Sequence, residues 1–166
     1  MKHLIEFLTD WTARSNRETL DEASTKQGLI LPILQCVGWN PFNIDEVTPE
    51  LAIGGKRVDY ALRVKGILKV FLEIKRPSEN LNIHQEQLLS YAFQQGVKMA
   101  VLTNGQVWWL YLPLHEGSWE QRKFFTIDVL QQTPEEVARH FDAFLSRPRI
   151  ETGEAYVNAD TVYTAR

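Results

Sequence analysis

The sequence predicts an α/β fold, and three observations carry that prediction. Residues 57–76 alternate with a period of two on both sides of Lys65-Gly66, with Val58, Tyr60, Leu62 and Val64 before the turn and Val70, Leu72 and Ile74 after it. That pattern is a pair of strands. Two further apolar runs, Val97 to Thr103 and Gln106 to Leu112, flank Asn104-Gly105, a strong two-residue hairpin signal. Stripes at helical spacing surround these strands: Leu4, Ile5, Leu8 and Trp11; then Leu29, Ile30, Ile33, Leu34 and Val37; then Leu88, Leu89, Ala92 and Phe93.

The elements follow in order. Residues 3–14 read as a helix that ends at the polar break Ser15-Asn16-Arg17. The second helix stops at Gly38, and Pro32 inside it predicts a kink or two helical pieces. Glu22 falls near its start, where the helix dipole favours an acid. Residues 41–56 hold Pro, Asn, Asp and Gly-Gly and read as a loop with a short strand around Glu46-Val47-Thr48. Pro77 ends the hairpin's second strand. Residues 80–95 form a third helix, on which Gln87 and Tyr91 lie four apart on one face, with His84 one turn earlier.

Trp108 and Trp109 are adjacent in a strand and face opposite ways, one into the core and one over an edge or a partner surface. Lys123 to Val129 reads as an edge strand. Thr133-Pro134-Glu135-Glu136 is an N-cap with Pro at the first helical position and acids in the first turn, opening a helix that runs to about Ser146. Residues 1–150 read as one domain. Residues 151–166 read as a polar C-terminal tail, expected to be loose or to dock elsewhere.

The 166 residues suit one domain with a real core, and 44% apolar with 23% charged residues is ordinary globular usage. No apolar run is long enough to cross a membrane, and Glu6 and Asp10 interrupt the N-terminal stretch where a signal peptide would be continuous. A lone Cys36 in an apolar context reads as a buried thiol and fits a reducing cytoplasm, the expected location. Eighteen Lys and Arg against 21 Asp and Glu give a net charge of −3, which argues against strong unaided binding to nucleic acid. Lys56, Arg57, Arg63, Lys65, Lys75 and Arg76 nevertheless cluster around the hairpin. No Gly-x-x-x-x-Gly-Lys-Ser/Thr phosphate loop occurs.

The hairpin carries the chemistry. Strand alternation points Glu73 and Lys75 to one side, and pairing the strands brings Asp59 beside Glu73. Two carboxylates offer hard oxygen ligands to a divalent cation, with a lysine aimed at a nearby anion. An ordinary hairpin with a solvated charged face would present the same residue types. Two carboxylates held close repel, so replacing Asp59 by Ala is expected to raise stability in the absence of metal.

Asp59 followed by Glu73-Ile74-Lys75 resembles the Asp…Glu-x-Lys signature of the restriction-endonuclease-like nuclease superfamily. Further stretches extend the likeness, in order. Glu22-x-x-Thr25-x-x-x-Leu29-Ile30-Leu31-Pro32-Ile33-Leu34-x-x-x-Gly38-Trp39 looks like the opening of the N-terminal nuclease domain of type I restriction enzyme motor subunits. Gly55-x-Arg57-Val58-Asp59-Tyr60, Gln87-x-x-x-Tyr91 and Leu102-Thr103-Asn104-Gly105-x-x-Trp108 also match that family. The similarity runs from about residue 20 to 112. Residues 113–166 carry no motif of the family, which usually continues into a helicase.

The resemblance implies a restriction-endonuclease-like core, a mixed β-sheet flanked by helices, and Mg²⁺-dependent hydrolysis of DNA phosphodiesters. It implies that Asp59, Glu73 and the main-chain carbonyl of Ile74 hold Mg²⁺, for which Mn²⁺ substitutes. Glu22 reaches the same metal directly or through water, Lys75 stabilises developing charge, and Gln87 and Tyr91 orient the phosphate backbone or brace the site. The implied partners are DNA and the motor or specificity subunits of a restriction system, with self-association a further expectation and no membrane. A non-catalytic nucleic-acid- or protein-binding module on the same fold is the alternative.

Overall fold

The computed structural model describes residues 1–166. Six strands form one sheet in sequence order: β1 (Val47–Ile53), β2 (Lys56–Val64), β3 (Ile67–Ile74), β4 (Met99–Thr103), β5 (Val107–Tyr111) and β6 (Lys123–Asp128). All neighbours are antiparallel except β3 and β4, which are parallel. A parallel pair needs a crossover, and here α4 (Gln85–Gln94) supplies it, entered through a 3₁₀ turn at Leu81–His84. The sheet is therefore mixed and the fold α/β.

Strand alternation divides the core. Val70, Leu72 and Ile74 face the larger cluster, built with α1 (Lys2–Ala13), α3 (Leu31–Cys36) and α6 (Pro134–Leu145). Phe71 faces the smaller cluster, made with Leu88, Leu89, Tyr91 and Ala92 of α4. Both faces of the central strands are covered, so all five residues of β4 are buried. No helix is long and apolar enough to cross a membrane.

The two expected hairpin turns differ in form. Lys65 and Gly66 both have positive φ, 52° and 79°, and join Val64 to its partner Ile67, the geometry of a tight two-residue turn. Asn104-Gly105 makes a wider loop, because the last pair is Thr103 with Trp108. The Asn104 side chain accepts the N–H groups of Gln106 and Val107 instead. Trp108 is buried against Phe141, with ring centroids 4.7 Å apart. Trp109, on the opposite face, packs under the Lys123 ammonium of the edge strand, 3.9 Å from its ring centroid.

Two expectations need correction, and the expected break at Pro32 takes a specific form. The loop at 41–56 contains a seven-residue edge strand, β1, not a short one. Pro49 sits in it because an edge strand tolerates a missing N–H. Pro32 produces a specific break: it cannot donate to the carbonyl four residues back and crowds it. The chain answers with a π turn at Lys26–Ile30, closed by the Leu31 N–H on the Lys26 carbonyl, between the short α2 (Glu22–Thr25) and α3.

The second correction concerns the last residues. Residues 151–166 are not loose but helical, completing α7 (Arg147–Thr152) and forming α8 (Glu154–Thr164). Ala155 and Ala159 are buried in the larger core, and the Tyr156 hydroxyl donates to the Lys69 carbonyl at 2.9 Å. The small alanines let α8 lie close, which a hydrophobicity count does not register. A capped turn, α5 (Trp119–Arg122), opened by the Ser118–Gln121 capping box, also precedes β6.

Candidate functional site

The site begins where two strands separate. Regular pairing of β2 with β3 ends at Tyr60 opposite Leu72. Asp59 comes next, and its carboxylate takes the place of the missing ladder partner: Oδ2 accepts the Ile74 N–H at 2.7 Å. The Asp59 N–H donates to Glu73 Oε1 at 3.1 Å. On the other side of β2 the pairing with β1 lapses at Glu50, whose φ is 51°. An irregular backbone on both flanks thus turns Asp59 inward, where only 2% of it is exposed.

The charges then stack up in pairs. Asp59 Oδ1 accepts from the Lys26 ammonium at 2.9 Å. Lys75 Nζ lies 3.4 Å from Glu73 Oε2. Burial, followed by the charge of Asp59 and a side-chain hydrogen bond with it, pushes the Glu73 carboxyl up to about 7, although Lys75 pulls the other way. Burial works to lower the Lys26 ammonium, but its contacts with Asp59 and Glu22 outweigh that and the net displacement is upward.

The predicted residues are placed unevenly. Asp59, Glu73 and Lys75 come together. The Ile74 N–H is committed to Asp59 and its side chain is fully buried. Glu22 meets Lys26, at 3.4 Å, and makes no direct contact with Glu73. Gln87 is exposed on α4. Tyr91 is 1% exposed, with its ring centroid 4.9 Å from that of Phe71. Its hydroxyl lies toward the Ile53 backbone without full hydrogen-bond geometry. Neither Gln87 nor Tyr91 hydrogen-bonds to the acids. His84 pairs with Glu79 at 3.0 Å.

Lys26 is the residue that motif reasoning missed. It contacts Asp59, Glu22 at 3.4 Å and Glu50 at 3.8 Å, and is 18% exposed. One signal pointed to it: four residues after Glu22, it lies on the same helical face. It also lines a cleft of about 780 Å³ between the α2–α3 segment and β1–β2, whose other charged residues are Glu22 and Glu50.

The donor set has the character a hard divalent ion requires. Two carboxylates stand together, and Glu73 is pushed up to about 7 by burial and then by the charge of Asp59, a repulsion that a bound cation would offset. Mg²⁺ is commonly held by one or two carboxylates and keeps several waters. No group of three or more His, Cys, Asp and Glu side chains converges as a metal site, so the fit is to a two-carboxylate site.

Comparison with known proteins bears on the same region. Residues 47–118 match the family described as "Type I restriction enzyme R protein N terminus". The chain is also similar to a solved fragment assigned as an HsdR subunit of a type I restriction enzyme from Vibrio vulnificus YJ016, with 19% identity and a TM-score of 0.49 over 87% of this chain and 32% of that one. It thus spans about a third of that fragment. No curated protein matches. The matched residues 47–118 contain β1 to β5 and with them Asp59, Glu73 and Lys75, so the likeness to the type I restriction enzyme R protein N terminus falls on the stretch that carries the two acids and the lysine.

Proposed function

We propose that this domain is a metal-dependent DNA endonuclease that hydrolyses phosphodiesters with Asp59, Glu73 and Lys75. The observation that carries the reading is the forced proximity of the two carboxylates where β2 and β3 separate, with Glu73 pushed up to about 7. Strand separations of this kind make good sites, because the freed backbone N–H groups fix side chains that would otherwise rotate.

Asp59 and Glu73 would hold Mg²⁺, with the Ile74 carbonyl as a further candidate ligand and Mn²⁺ as a substitute. When bound, the ion would supply Lewis-acid stabilisation of phosphoryl oxygens and make a water more acidic. The Ile74 N–H anchors Asp59, so one oxygen keeps its direction. Lys75, beside Glu73, places its ammonium where negative charge grows on the phosphate. Glu22 acts from α2 at the margin of the acid pair. Gln87, exposed on α4, contacts the DNA backbone, and Tyr91 braces β3 from beneath. Motor or specificity subunits of a restriction system deliver the DNA.

Nicking of supercoiled plasmid, with and without Mg²⁺, tests this reading. A second reading, a binding module that kept the fold, draws on one observation: the Lys26 ammonium already neutralises Asp59, and no third acid joins the pair. Metal-independent DNA binding without nicking would favour that module.

A further inference from the structure

Four polar groups surround the two central acids, and two of them, being backbone, are poorly placed to move. The Ile74 N–H on Asp59 Oδ2 and the Asp59 N–H on Glu73 Oε1 belong to strand backbone. Lys75 extends from the end of β3 and lies beside Glu73 on the same face of the strand. The fourth, the Lys26 ammonium on Asp59 Oδ1, stands at the end of a long flexible side chain. Oδ1 is therefore the Asp59 oxygen that a cation can reach by displacing one side chain rather than backbone.

Lys26 also has somewhere to go. Its Nζ is 2.9 Å from Asp59 Oδ1, 3.4 Å from Glu22 Oε1 and 3.8 Å from Glu50 Oε1. The last two carboxylates are 42% and 49% exposed and line the open cleft, whereas Asp59 is buried. A small rotation toward the cleft gives up Asp59 and draws the ammonium closer to the two acids it already touches, without leaving it bare. Two cations cannot share Asp59 cheaply, because like charges at contact distance repel strongly in a partly desolvated site.

Resting on the two-carboxylate metal site proposed above, we infer that Lys26 is a displaceable counter-cation: its ammonium fills the divalent ion's place against Asp59 and moves to Glu22 and Glu50 when the ion binds. Lys26 is then a positioning residue for the metal. Glu22 and Glu50 tune metal affinity by receiving the ammonium rather than by ligating the ion. The cost of the exchange sets the ion concentration at which the site loads, and the pairing keeps the buried Asp59 neutralised until then.

The test is Mn²⁺ binding to the whole chain by titration calorimetry without DNA, so that nuclease activity is not the readout. Lys26→Met, which keeps the aliphatic stem, is expected to tighten Mn²⁺ by about tenfold, the scale of one removed charge pairing. Glu50→Gln is expected to weaken Mn²⁺ by about threefold in the wild-type background, as for a partly exposed pair, and to have no effect when combined with Lys26→Met. Long-range charge alone, or direct ligation by Glu50, would make Glu50→Gln equally costly in both backgrounds and overturn the exchange. Should Lys26→Met fail to fold by circular dichroism, Lys26→Gln keeps a hydrogen-bond donor for Asp59 and carries the same expectation. Unchanged or weaker Mn²⁺ binding in the Lys26 variant, with binding still abolished by Asp59→Asn, overturns the exchange and leaves the metal site standing. Absence of Mn²⁺ binding in both wild type and the Lys26 variants overturns the metal site and the exchange together.

Discussion

Glu73 Oε1 accepts the backbone N–H of Asp59 at 3.1 Å, so the second acid of the pair is tied to the main chain of the first. Neither carboxylate can withdraw without breaking a hydrogen bond at the point where β2 leaves β3. This coupling turns two surface-type residues into a confined pair, and several measurable consequences come from it.

Stability should depend on pH through Glu73. Its carboxyl is raised from 4.5 to about 7, so between those values the unfolded chain has lost the proton while the folded chain still holds it. Stability therefore falls as pH rises through this window, by on the order of 3 kcal/mol in full, and levels off above about 7. Glu73→Gln removes this component. Urea midpoints measured from pH 5 to pH 8 should fall less steeply in the variant than in wild type, with the variant more stable at pH 8. Parallel profiles would mean that Glu73 ionises as an ordinary exposed acid.

Removing Asp59 should destabilise the metal-free protein, reversing the expectation that repulsion alone sets the balance. Asp59→Ala relieves Glu73 but strips the Ile74 N–H of its partner and the Lys26 ammonium of its nearest one. Leaving a buried donor unsatisfied costs about 1–3 kcal/mol. A lower melting temperature is expected without metal, together with loss of the stabilisation that millimolar Mn²⁺ gives the wild type. A higher melting temperature in the variant would show that carboxylate repulsion dominates.

The last helix should be part of the folding unit. Tyr156→Phe deletes the hydrogen bond to the Lys69 carbonyl and is expected to cost about 1 kcal/mol. Truncation after Gly153 uncovers the surface that Ala155 and Ala159 bury and should lower the thermal midpoint further. Thermal melts of the two variants check this order, and an unchanged midpoint on truncation would restore the picture of a loose tail.

DNA binding by the isolated chain should be weak and salt-sensitive. Several cations near the site are already engaged: Lys26 with three acids, Lys75 with Glu73, Arg57 with Glu50, and Lys56 with Gln94. If about three phosphates are neutralised, log affinity falls with log salt at a slope near −2.7, and the Kd is ~10⁻⁴ M or weaker at physiological salt. Fluorescence anisotropy across a salt series measures both. Nanomolar binding of a defined duplex at 150 mM salt, a value taken as physiological, would contradict the delivery by other subunits proposed above.

Much of the site was legible because strand period and motif spacing are local properties. Val70, Leu72 and Ile74 alternate with Phe71 and Glu73 in the sequence, and the structure sends them to opposite faces. The Thr133-Pro134 cap opens α6 as its residue types require. What was not legible depended on tertiary partners. Lys26 acquires its place only when the π turn and the end of the β2–β3 ladder meet. Tyr91 enters as a candidate through the family resemblance, and its packing against Phe71 in the core depends on the docking of α4. Residues 154–164 look polar, because only Ala155 and Ala159 are fully buried, with Tyr156, Val162 and Tyr163 packing partly exposed against a core made apolar by other elements.

The central claim is that Asp59, Glu73 and Lys75 form one hydrolytic site, and Lys75→Ala tests it most directly. Lys75 is 21% exposed and pairs only with Glu73, so its loss leaves no core cavity and circular dichroism should match wild type. Wild type should nick supercoiled plasmid in Mg²⁺ and not in chelator, while Lys75→Ala falls by about 10²-fold or more, the scale of a removed charge stabiliser. Wild-type nicking by a correctly folded Lys75→Ala protein would contradict the account.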